Sequence, residues 1–156
     1  AWGRGQEDLF DGTKWFLDAA REAGAQVLLK LHPHEGEQNA VRYKEMAESS
    51  GLYAVLTSHY LPYVLAACDV VVTQGSSNMA IEAGIMGKAT VEMLQPGTKY
   101  PEQYEIPSSW GPDLPEVIEL AIAQGPVESF IADMNMGPGS TERAADWVRG
   151  HIGTNN

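Results

Sequence analysis

Four short apolar runs recur along the chain, VLLKL at 27–31, LYAVLT at 52–57, DVVVTQ at 69–74 and ATVEML at 89–94, each separated from the next by a segment with helical spacing. The runs are apolar along their length instead of on alternate positions. That is the pattern of strands covered on both faces, and sheets reach it when their strands are parallel and helices pack on either side. The alternation therefore predicts an α/β fold: a doubly wound, Rossmann-like domain with a mostly parallel sheet. At 156 residues the chain has the length of one domain, spanning 1–156.

The intervening segments fit that frame. Residues 12–24 set Trp15, Phe16, Ala19, Ala20 and Ala23 at helical spacing before Gly24, and residues 37–50 offer Val41, Tyr43 and Met46 as apolar contacts. Residues 59–68 predict a short helix with Pro62 in its first turn, and SSNMAIEAGIMG predicts a helix that a serine caps and Gly87 stops. Pro96, Pro101, Pro107 and Pro112 make 95–112 a long loop without regular structure. Helical spacing returns at 114–124 and 140–152, where Ala144, Ala145, Trp147 and Val148 are expected to face inward. No run before Gly12 can serve as a buried strand. In the common order 3-2-1-4-5-6 a strand preceding the first helix lies between the runs at 27–31 and 69–73. Of three ways to close that gap, direct pairing of the two runs, a strand from another chain or a longer natural protein, direct pairing is the one expected, Leu29 beside Val71.

Charge narrows the function. Lys and Arg number 10 against 21 Asp and Glu, a net charge of −11, which repels a polyanion and excludes general nucleic-acid binding. A small anion remains compatible, because oriented backbone N–H groups hold phosphate without a cationic side chain. Cys68 is the lone cysteine, so neither an internal disulfide nor a cysteine-based zinc site is available, and a reducing, cytoplasmic setting fits. No apolar run approaches the roughly 18 residues of a membrane span, and AWGRGQEDLF lacks the order of a signal peptide.

Ligands of such sheets sit outside the carboxyl ends of the strands. The residues there are His32-Pro33-His34, Gln74-Gly75-Ser76-Ser77 and the loop after Leu94. Gly75-Ser76-Ser77-Asn78 joins a strand to a helix N-terminus, where free N–H groups and the helix dipole favour an anion; alternatively one serine is simply an N-cap. Glu82 stands in an otherwise uncharged stretch. It is a candidate acceptor for ribose hydroxyls, or an ordinary exposed helix residue. His32 could donate to a phosphate or move a proton, whereas His34 reads as a surface or capping residue. Two histidines without a third ligand give no metal site.

Together these residues resemble the C-terminal nucleotide-binding domain of GT-B-fold enzymes. His32-Pro33 and Ser76-Ser77 look like the His-Pro and Ser-Ser motifs of bacterial polysialyltransferases and teichoic-acid glycerophosphotransferases. Ser76 and Glu82 keep the spacing of a Ser and a Glu in non-hydrolysing UDP-N-acetylglucosamine 2-epimerases. Thr98-Lys99-Tyr100-Pro101-Glu102 is similar to the epimerases' Thr-Glu-Arg-Pro-Glu, and 139–143 looks like the lead-in to their last helix. Ser77, Asn78 and Ile81 depart from the epimerase pattern, so a transferase relative fits better. The resemblance implies a nucleotide-sugar ligand, UDP- or CMP/CDP-linked (UDP-GlcNAc, for example), and no separate cofactor. It implies nucleotide binding by His32, Gly75, Ser76, Ser77, Asn78, Glu82, Thr98 and Glu102, with His32 as the catalytic candidate. A GT-B site forms between two domains, so the partner expected is an acceptor-side domain or subunit, or a second copy. The alternatives are a stand-alone nucleotide-binding module without catalysis and a 2-epimerase-related fragment.

Overall fold

The computed structural model describes residues 6–33, 35–51, 53–56, 59–74, 77–94, 106–127 and 139–152. In chain order these form α1 (Gln6–Glu22), β1 (Val27–Lys30), α2 (Glu37–Ser50), β2 (Tyr53–Leu56), α3 (Leu61–Ala66), β3 (Val70–Gln74), α4 (Asn78–Ile85), β4 (Ala89–Met93), β5 (Ser108–Ser109), α5 (Leu114–Gln124) and α6 (Ser140–Ile152). The strands and helices alternate as expected, and every strand pairing is parallel. The domain is α/β, with parallel sheet flanked by helices.

The expected direct pairing is not found. β1 pairs with β2, β3 pairs with β4, and β4 pairs with β5, giving a two-stranded and a three-stranded sheet with no ladder between Leu29 and Val71. Helix α1 joins the two. Its Leu17 and Ala20 pack with Val27 and Ala47, and Phe16 reaches both this cluster and the one formed by Val91, Met93, Leu114 and Ala121. The tie is completed by a side chain, because Gln74 Nε2 donates to Leu9 O and to Thr13 Oγ1, both at 3.0 Å.

The alternation of each strand tells the two faces apart. Val70 and Val72 pack with Val91 and Met93 towards α5, whereas Val71 packs with Leu65 of α3 and Ala83 of α4. Thus α1, α2 and α5 cover one face, and α3 and α4 the other. Parallel register sets Thr73 beside Glu92 and Gln74 beside Met93. Fully buried side chains such as Val91 and Leu65 contribute about 1.5–3 kcal/mol each relative to exposure.

Several local expectations need correction. Helix α1, Gln6–Glu22, takes in the six residues ahead of the segment whose periodicity suggests it. Its buried stripe is Phe10, Thr13, Leu17 and Ala20, so Trp15 lies outside it, against Trp110 in an edge-on contact. In α2, Tyr43 and Ala47 are buried and Val41 is exposed; Gly51 closes this helix at φ 82°, a left-handed conformation open to glycine. The proline-bearing stretch is not wholly irregular, since Ser108 and Ser109 pair with Glu92 and Met93 as β5. In α6 the expected inward face is turned out: Trp147 is 63% and Val148 44% exposed. Periodicity finds the apolar face of a helix, but does not supply the surface that would cover it.

Candidate functional site

The edge at which the strands end is fixed by α1. Leu31, just past β1, packs with Phe10, while Val27 at the start of β1 packs with Leu17 and Ala20. Gln74, the last residue of β3, bonds to Leu9 and Thr13. Both strands therefore end at the N-terminal half of the same helix, and their carboxyl ends share one edge. His32, which follows β1, and Ser77, which follows β3, stand on that edge. His32 is exposed.

Ser77 is the N-cap of α4. Its backbone is extended (φ −125°, ψ 134°), and its Oγ accepts from Met79 N at 3.2 Å, while Ala80 N donates to its carbonyl at 3.0 Å. The capping reading thus holds for Ser77 itself. Asn78, the first residue of the helix, and Glu82, four residues on, are both exposed on the solvent face of α4. Ala80, Ala83 and Gly84 form its buried side. Glu82 sits in an apolar stretch because small buried residues alternate with it around the helix, so the apolar surroundings seen in sequence do not enclose it. Gly75, Ser76, His34, Thr98 and Glu102 lie outside the described residues.

Residues that the sequence reading passed over surround the same turn. Glu92 is 3% exposed, in the interior of β4, and in register with Thr73. Both belong to the face under α4, one register step below the β3–α4 turn. Thr73 Oγ1 is buried and has no hydrogen-bond partner among the described residues. Lys30 holds its ammonium at the end of β1, where Nζ donates to Leu31 O at 2.7 Å. The signal for Glu92 was present: it is the one carboxylate inside ATVEML, at the position where a strand buried on both faces has no solvent to give it.

A polar network backs the edge from the α1 side. Thr13 Oγ1 accepts from Gln74 and donates to Leu9 O at 2.9 Å. Burial, with Glu35 adding to it, pushes the Tyr43 phenol above its ordinary value, against the opposing effects of Thr13 and Arg42. Burial also raises the Cys68 thiol, although Lys88 opposes it, and its Sγ donates to Val64 O at 3.2 Å. Cys68 is thus a weak nucleophile packed under α3. Among the described residues, no cluster of three or more His, Cys, Asp or Glu side chains is placed to hold a metal ion, and no helix is long and apolar enough to cross a membrane.

The fold and its edge define a class, the parallel α/β domain with helix-terminated strand ends. Compared with known proteins, no family model, curated protein or solved structure matches the chain.

Proposed function

We propose that this chain is the nucleotide-sugar-binding half of a GT-B-type glycosyltransferase, holding a UDP-, CMP- or CDP-linked sugar and acting with an acceptor-side domain. The observation that carries the reading is the junction of β3 with α4, where a strand end at Gln74, a serine cap at Ser77 and a helix N-terminus at Asn78 follow one another along the chain. Met79 and Ala80 N–H groups are committed to Ser77, so among the described residues the Asn78 N–H is the helix-start donor for a phosphate, and the sequence adds the hydroxyl of Ser76. Lys30, from the neighbouring strand end, supplies positive charge as negative charge builds on the departing nucleotide, and His32 beside it offers a ring N–H to a phosphate oxygen. Glu82, on the exposed face of α4, accepts from the ribose hydroxyls.

A thermal-melting titration with UDP, CMP, CDP and their sugars tests this. A ligand present at a hundred times its Kd stabilises the native state by about 2.7 kcal/mol, and a domain of this size then melts roughly 5–10 °C higher. One nucleotide series should produce that shift and Ser76→Ala should reduce it. No shift with any of them at millimolar concentration refutes the proposal.

A further inference from the structure

We propose that Gln74 is the residue of the candidate site that selects the sugar: its amide oxygen accepts a hydrogen bond from a hydroxyl of the group carried beyond the phosphates. The inference rests on the nucleotide-sugar reading and adds a contact to it. The side chain is oriented by what it bonds. Its Nε2 lies 3.0 Å from Leu9 O and 3.0 Å from Thr13 Oγ1. A carbonyl oxygen can only accept, and the Thr13 hydroxyl has given its hydrogen to Leu9 O at 2.9 Å. Both neighbours therefore require the NH2 edge of the carboxamide, which spends its two hydrogens on α1 and leaves Oε1 on the other edge as a fixed acceptor. Among the described residues nothing donates to Oε1. Thr73 Oγ1, one residue earlier, is sealed from solvent, whereas Gln74 is half-buried and its Oε1 is not sealed.

The place of Gln74 in the fold decides which part of a ligand it meets. Successive residues of β3 alternate between the faces of the sheet: Val71 and Thr73 belong to the α4 side, and Val70, Val72 and Gln74 to the side of α5 and α1. Glu82 stands on the exposed face of α4, on the opposite side of the sheet. Gln74 and Glu82 therefore flank the α4 N-terminus, where the Asn78 N–H is the donor for a phosphate, from its two sides. In a nucleotide-sugar the phosphates join the ribose to the sugar. With the ribose at Glu82 the sugar extends towards α1, and its hydroxyls come to Gln74. An acceptor fixed in advance discriminates by its partner, because a ligand lacking the hydroxyl leaves it desolvated and unpaired.

Calorimetric titration of the 156-residue chain with UDP, CMP and CDP, each alone and in its sugar-linked form (UDP-GlcNAc for UDP), measures what the sugar adds to affinity. In the wild type the sugar-linked form should bind more tightly than its nucleotide. Gln74→Met should lose about three- to tenfold of that increment, the worth of one neutral hydrogen bond, and hold the bare nucleotide within about twofold of the wild type. Thr13→Val loosens the same tie to α1 without removing Oε1, so it should lose stability and keep the increment. Monodeoxy forms of the sugar locate the contact: one of them should bind the wild type about three- to tenfold more weakly than its parent, and Gln74→Met no more weakly. An increment that survives in Gln74→Met, that is lost equally in Thr13→Val, or that is absent from the wild type overturns the inference and leaves nucleotide binding standing. Failure of every nucleotide and nucleotide-sugar to bind overturns both.

Discussion

Replacing Gln74 by Met keeps the length of the side chain and removes both hydrogen bonds that cross from β3 to α1. The acceptors are not stranded, because Leu9 O still receives the Thr13 hydroxyl at 2.9 Å. The loss is therefore the net worth of two neutral hydrogen bonds, about 1–3 kcal/mol together, without the larger penalty of an empty buried acceptor. Among the described residues no ladder joins the two sheets, and these bonds and the packing of Phe16 tie β3 to α1. Urea denaturation of the wild type, Gln74→Met, Thr13→Val and the double variant measures this directly. The single Gln74 variant should lose about 1–3 kcal/mol, and the cycle should show at least about 0.5 kcal/mol of coupling. A Gln74→Met protein within about 0.5 kcal/mol of the wild type, or strict additivity, would refute the assignment of the tie to this side chain.

Gly12→Ala should destabilise the fold even though alanine favours a helix by about 1 kcal/mol over glycine: its Cβ would meet the Trp110 ring at 2.6, 3.0 and 3.1 Å, and Trp110→Leu in the same background should restore the loss in thermal melting. Tyr43 is held neutral by the fold, so its contribution is complete below the unfolded value near 10 and is lost as pH rises through the higher folded value. Stability should fall more steeply above pH 10 for the wild type than for Tyr43→Phe, and parallel alkaline profiles would count against this. The two acidic residues near α4 should separate cleanly in chemical denaturation. Glu82→Ala, on the exposed face, should stay within about 0.5 kcal/mol of the wild type in stability, and under the proposed function it should weaken nucleotide binding by about 1–3 kcal/mol. Glu92→Ala, a truncation in the strand interior, should cost more than about 2 kcal/mol of stability.

The strands were legible because their signal is local. VLLKL, LYAVLT, DVVVTQ and ATVEML each carry enough apolar residues to declare themselves, and each became a parallel strand. β5 was not, because two serines contain no apolar pattern; Ser108 and Ser109 are a strand only because β4 offers them an edge. Helix faces were half legible. Tyr43 was found, but Val41 and Trp15 share its apolar character without sharing its neighbours. The site shows the same division. Ser77 as the residue opening α4 follows from the order of strand and helix, whereas the bond from Gln74 to α1 spans more than 60 residues and no local pattern announces it.

A chain with a net charge of −11 can hold an anion only where local donors outweigh the mean field. At physiological salt that field is screened beyond about 8 Å, so the outcome is decided by the groups at the strand ends. Lys30 at the end of β1 and the α4 N-terminus after β3 draw an anion in, and His32 offers a ring N–H beside them. Glu92 lies inside β4 in register with Thr73, on the α4 side of the sheet, whereas a ligand would approach from beyond the strand ends, so the exposed groups at those ends decide whether an anion is held.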